Sequence, residues 1–164
     1  MSNEYKDWCA DLSAEQKQNY ELCVKYPFLV PRDIFTGEED KNYFYEYTYM
    51  DDIPDGWRIA FGEQWAQDIQ DVINKMPDDE RNRTRVWQLK EKYGMFTQYF
   101  SHYNDELSAV IQKYSLLSAK TCVHCGKPAT KISQEWISPW CDECAEKVRD
   151  TFVSIDEWFN GGDE

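Results

Sequence analysis

Cys122-Val-His-Cys125 and Cys141-Asp-Glu-Cys144 stand fifteen residues apart. Two C-x2-C pairs at this separation are the spacing of a structural zinc site. Zinc is borderline-soft and takes four ligands in a tetrahedron, and each C-x2-C turn lets two sulfurs converge on one ion while backbone N–H groups donate to them. Gly126, directly after the second cysteine, suits the left-handed backbone that such a knuckle needs. A redox C-x-x-C pair or disulfides would not call for two matched motifs, and no secretory signal accompanies them. An iron–sulfur cluster is the competing metal reading. His124, between the first two ligands, is expected to project outward. Cys9 and Cys23 have no knuckle spacing and are assigned no chemistry, since a free cysteine commonly serves as a small buried apolar residue.

Around the ligands the order is readable. Thr121 to Pro128 predict a knuckle, Ala129 to Trp140 a hairpin with Trp136 and Ile137 following its turn, and Cys141 to Cys144 the start of a helix containing Ala145, Val148 and Phe152. Knuckle, hairpin, then helix is the order of a treble-clef finger. A zinc ribbon is the alternative and needs a second hairpin after Cys144. Ser154-Ile-Asp-Glu157 predicts a capping box and a short final helix carrying Trp158 and Phe159 back onto the core.

Upstream, Ser13-Ala-Glu-Gln16 is a capping box opening a helix over 13–26, which Pro27 and Pro31 end. Tyr43, Tyr45, Tyr47 and Tyr49 alternate, predicting a strand with all four rings on one face. That row reads as half of a core or a surface packing a helix, with base stacking as the alternative. Trp57, Phe61, Trp65, Ile69, Val72, Ile73 and Met76 recur at helical steps, with a polar connection over 78–84 beyond Pro77. Arg85–Tyr93 and Met95–Tyr103 predict two strands around Gly94. Asn104 caps a helix whose apolar face is Leu107, Val110, Ile111, Tyr114 and Leu117. The expected fold class is therefore α+β, with helices packed on a small antiparallel sheet. Residues 1–119 form an acidic, aromatic-rich region, and 120–164 a four-cysteine zinc-finger module packed on it with no Gly/Ser-rich linker between.

The 164-residue chain carries a formal charge of −13, with 31 acidic and 18 basic residues, and is 16% aromatic. That ring content argues for a packed core rather than a disordered acidic tail. No apolar run reaches the roughly 18 residues of a membrane span, and the opening MSNEYKDWCADL lacks a basic start, apolar middle and cleavage site. The expected location is the cytoplasm. Charge is uneven: residues 1–80 sum to −12, 81–119 to +3 and 120–164 to −4. The one basic stretch, Arg81, Arg83, Arg85, Lys90 and Lys92, is the candidate contact surface for nucleic acid or a partner. Its simplest role is as solvated cations facing the acidic half of the same fold.

The sequence holds two histidines, His102 and His124, and no P-loop or His-Glu-x-x-His motif. Four-thiolate zinc leaves no position open for water, so catalysis is not expected. An abundance of Trp and Tyr supplies anchors for an interface, and the expected function is protein–protein interaction. A nucleic-acid-binding zinc-finger regulator using residues 81–92 is the alternative.

The chain resembles a family of small zinc-binding proteins from bacteria, their prophages and mobile elements. The resemblance spans about residues 20–150. It rests on Tyr26-Pro-Phe-Leu-Val-Pro-Arg32, Pro54-Asp-Gly-Trp-Arg58 with Ala60-Phe-Gly-Glu-Gln64, Leu89-Lys-Glu-Lys-Tyr-Gly94, and Cys122 to Cys144 with its Trp-Ile-x-Pro. Similar sequences continue after Gly94 with Gly/Ser-Leu-Arg-Trp/Phe-Tyr; here Met95-Phe-Thr-Gln-Tyr99 lacks the arginine. The resemblance implies a fold and a genomic context rather than an activity. In that context the expected partner is a host protein that normally binds nucleic acid, with the −12 stretch expected to imitate phosphates, as an inhibitor or modulator would.

Overall fold

The computed structural model describes residues 11–33 and 35–161. It is α+β, with two small antiparallel sheets and helices packed around one aromatic core. Helix α1 (Ala14–Lys25) opens on the predicted capping box: Gln16 N donates to Ser13 Oγ at 3.1 Å, and Ser13 N to Gln16 Oε1 at 2.9 Å. It stops at Tyr26, before Pro27 and the 3-10 turn Pro27–Leu29.

The tyrosine row is not a strand. Residues 41–48 lack regular structure, Tyr45 has φ +59°, and Tyr49 already belongs to the 3-10 turn Tyr49–Asp52. The reason is local. Gln16 Nε2 and Asn19 Nδ2, on α1, donate to the carbonyls of Phe44 (2.9 Å) and Tyr45 (2.8 Å), so the helix takes backbone acceptors that a neighbouring strand would need. The rings still gather: Tyr43 lies with its centroid 4.7 Å from that of Tyr45 and 5.3 Å from that of Tyr47.

Helix α2 (Asp55–Trp57) runs through a π turn, Arg58–Gly62, into α3 (Glu63–Asn74). The apolar side chains Trp57, Phe61, Trp65, Ile69 and Ile73 follow one another every four residues, and all are buried. An ideal α-helix would rotate such a row by about 40° per step. The wider π turn absorbs part of that drift and holds the row on the core. Gly62 ends it where an added Cβ would sit 2.9 Å from Met50 Cε.

Residues expected to be a plain connection form α4 (Asp78–Arg83), with Asp78, Asp79 and Glu80 in its first turn and Arg81 and Arg83 in its last, matched to the helix dipole. Strands β1 (Val86–Lys92) and β2 (Met95–Phe100) pair as expected, closed by Tyr93 (φ +51°) and Gly94 (φ +80°), the geometry of a two-residue hairpin turn. Helix α5 (Asp105–Ser118), capped by Asn104, packs on β2 and α3. Its inner face ends on Ser118 instead of Leu117, which is 44% exposed. Between these elements Trp65 Nε1 donates to Gln98 Oε1 at 2.6 Å, both side chains being buried.

The second sheet has the order β4-β3-β5, from β3 (Lys131–Ser133), β4 (Ser138–Trp140) and β5 (Phe152–Ser154). Trp136 and Ile137 lie within the β3–β4 turn rather than after it. The helix expected to reach Phe152 is a single turn, α6 (Asp142–Ala145), and Phe152 is in β5. Asp150 accounts for the change. Its carboxylate accepts from the backbone N–H groups of Gln134, Glu135, Trp136 and Thr151, drawing the chain back against the hairpin. Helix α7 (Ile155–Asn160) is capped by Ser154, but Trp158 and Phe159 are 42% and 47% exposed and do not join the core. Among the described residues no helix is long and apolar enough to cross a membrane.

Candidate metal centre

The sulfur atoms of Cys122, Cys125, Cys141 and Cys144 all lie within 4.8 Å of one another. The first pair sits in a knuckle closed by an isolated bridge between Thr121 and Pro128 and by Cys122 N donating to Lys127 O at 2.8 Å. Gly126 (φ +81°) turns the chain, with its N–H on Cys122 O at 3.1 Å. The second pair opens α6: Cys141 is its N-cap, and its sulfur accepts from Cys144 N at 3.4 Å. Cys122, Cys141 and Cys144 are buried and Cys125 is partly exposed.

The donor set fits a tetrahedral thiophilic ion. Metal–sulfur bonds near 2.3 Å imply sulfur–sulfur edges of about 3.8 Å, and the Cys125–Cys141 separation is 3.6 Å. Burial works to raise the Cys122 thiol, but the backbone N–H groups of Cys125, Cys141 and His124 outweigh it and bring it down to about 7. At Cys144 burial and the neighbouring sulfurs of Cys141 and Cys125 push the thiol up instead. A Lys127–Glu143 ion pair (3.2 Å) joins knuckle to α6 outside the cluster. His124 is exposed, as expected. Cys23 is buried beside Tyr43, and burial pushes its thiol up to about 11, which suits a packing role. Cys9 lies outside the described residues.

The knuckle is seated on the start of α2. Gly56 N donates to Val123 O at 2.9 Å, and the buried Trp57 Nε1 to Thr121 O at 2.9 Å. A Cβ built on Gly56 would lie 2.1 Å from Cys122 O, and one on Gly126 would lie 2.6 Å from Gly56 O. Pro54-Asp-Gly-Trp57 signals a new element in the sequence, but nothing in it announces that the element receives the finger.

The five cations are found in different surroundings. Arg81 pairs with Asp78, and Arg81 and Arg85 line a pocket together with Arg32. Arg83 is exposed. Lys90 lies over the Tyr99 ring, 5.3 Å from its centroid, on the outer face of the hairpin. Lys92 borders a different cleft, of about 350 Å³, with Glu91, Tyr93, Glu135, Trp136 and Ile137. A second cleft of about 430 Å³ adjoins it, sharing Glu91 and Trp136 and adding Asp52, His124 and Trp140. Tyr93 and Trp136 are 75% and 72% exposed. The sequence puts Tyr93 and Trp136 in two separate hairpins; only the fold brings those turns together. No protein-family model, curated protein or solved structure matches the chain.

Proposed function

We propose that the chain is a zinc-held interaction protein of the bacterial cytoplasm, belonging to the prophage and mobile-element family it resembles, and acting without catalysis on a basic protein partner. The metal is zinc, held by Cys122, Cys125, Cys141 and Cys144, and the finger is treble-clef-like. The order of knuckle, hairpin and helical turn with the second ligand pair supports that type over a ribbon, although β5 adds a third strand.

One observation carries the interaction reading: Trp136 stands exposed between two clefts whose other lining groups include Asp52, Glu91 and Glu135. Its backbone is fixed, because Trp136 N donates to Asp150 and Trp136 O accepts from Ser133 Oγ. An exposed indole on a fixed backbone beside three carboxylates, with Lys92 at the edge of one cleft, suits a partner surface bearing Lys or Arg, since rings anchor interfaces and complementary charge sets their specificity. The host target is a nucleic-acid-binding protein, whose basic groove the acidic surface occupies in place of phosphates. Capture of the partner from host lysate, followed by competition with DNA, tests this. Displacement by DNA and weakening with added salt are expected. Binding indifferent to both would remove the mimicry.

A further inference from the structure

Arg32, Arg81 and Arg85 come from three places in the chain: the loop after the Pro27–Leu29 turn, helix α4 and the residue before β1. They line one pocket of about 420 Å³ together with the amides of Gln70, Asn74 and Asn82, and Phe28 and Ile73 contribute apolar surface. None of the residues lining it is acidic, in a chain whose net charge is −13.

Each arginine has a carboxylate neighbour, Glu39 for Arg32, Asp78 for Arg81 and Asp33 for Arg85, and the two ion pairs are weakly held. Arg32 reaches Gly37 O (3.1 Å) and Glu39 (3.2 Å), and Arg81 pairs with Asp78. The Glu39 and Asp78 side chains are 64% and 88% exposed, so water competes for both pairs. The Arg85 guanidinium lies over Gly37, where an added Cβ would sit 3.3 Å from its Nη1. A pocket of this volume falls within the range of small-molecule sites. Planar guanidinium forks match phosphate oxygens. The amides supply further donors and acceptors, and the apolar floor receives a ring or sugar face.

We infer that this pocket binds the phosphate group of a small molecule of nucleotide size, with Arg32, Arg81 and Arg85 as its ligands. The site is separate from the clefts at Trp136 and does not depend on the partner reading.

Calorimetric titration of the full zinc-loaded chain with AMP, inorganic phosphate and adenosine tests it. Saturable binding of AMP and of phosphate is expected, with no binding of adenosine. AMP tighter than phosphate assigns the source to a nucleotide, and equal affinities assign it to the free anion. Arg81→Ala and Arg32→Ala should each weaken binding about tenfold, the loss of one charge-assisted hydrogen bond of roughly 1.4 kcal/mol. The pair Lys17→Ala with Lys147→Ala, both exposed and off the pocket, should leave affinity within about twofold. Near-ultraviolet circular dichroism establishes that each variant is folded. Should Arg85→Ala not fold, Arg81→Ala, on an exposed helix, still reads the site. Absence of saturable binding to either phosphate ligand, equal binding of adenosine and AMP, or equal losses in the lysine variant overturns the proposal.

Discussion

Gly56 and Gly126 meet backbone to backbone, and neither position has room for a side chain. One begins the long core helix and the other turns the first cysteine knuckle, so this contact fixes the cysteine cluster to the rest of the molecule.

Gly56→Ala should therefore cost on the order of 1–3 kcal/mol in urea unfolding, the usual penalty for overpacking. Gly126→Ala should cost more, because its φ of +81° adds strain to the clash. Both should speed metal transfer to a chromogenic chelator. Unchanged transfer rates would mean that the seat does not brace the cluster.

Elemental analysis should return one zinc per chain, and Cys122→Ser should abolish it. Thiolates bind the ion and thiols do not, so metal should leave as the pH falls. The cysteine cluster is separate from the aromatic core around Trp57, Trp65 and Phe96. Stripped protein should accordingly keep most of its far-ultraviolet helical signal while losing stability. Complete unfolding on chelation would contradict that separation.

Gln98 is the polar hub of the core. Besides accepting from Trp65, it donates to Ile111 O at 3.2 Å and Ser115 Oγ at 3.3 Å. Gln98→Leu strands a buried indole N–H and should destabilise by about 1–3 kcal/mol. Adding Trp65→Phe removes the orphaned donor, so the double variant should be less destabilised than the two single changes summed. Strict additivity in a double-mutant cycle would refute the coupling.

Asp68 ties α3 to α5 by accepting from Tyr114 Oη (2.6 Å) and pairing with Lys113 (3.2 Å). Burial pushes its carboxyl up, but the hydroxyl of Tyr114 and the amide of Gln64, with Lys113, outweigh it and hold it below the ordinary carboxylate value. A depressed folded-state pKa contributes stability above the unfolded pKa, near 4, and loses it as pH falls through the folded value. Tyr114→Phe should cost about 1–2 kcal/mol at neutral pH, and its difference from the native chain should shrink on acidification. A difference constant with pH would assign the cost to packing alone.

Trp136→Ala should leave the melting temperature nearly unchanged, since the indole is exposed, while weakening partner capture about tenfold or more. Retained capture would move the interface away from these clefts.

What the sequence made legible is what short-range chemistry controls. Ser13 with Gln16, Asn104 with Leu107, and the Tyr93-Gly94 turn each depend on neighbours within a few residues, and the cysteine spacing on ligand geometry. The alternating tyrosines misled because a strand needs a partner, and here α1 takes the carbonyls of Phe44 and Tyr45. The helix after Cys144 stops early because Asp150 binds backbone N–H groups fourteen to sixteen residues earlier. Arg32 joins Arg81 and Arg85 across some fifty residues, a meeting that no local pattern encodes.

The indole of Trp57 leaves the ribosome 64 residues ahead of the Thr121 carbonyl that satisfies it. Until then that N–H, at the foot of the core helix, has only water as a partner. Synthesis of the last third thus completes a bond belonging to the start of the core helix. A chain ending before Thr121 would have to close its core over an indole N–H with no acceptor.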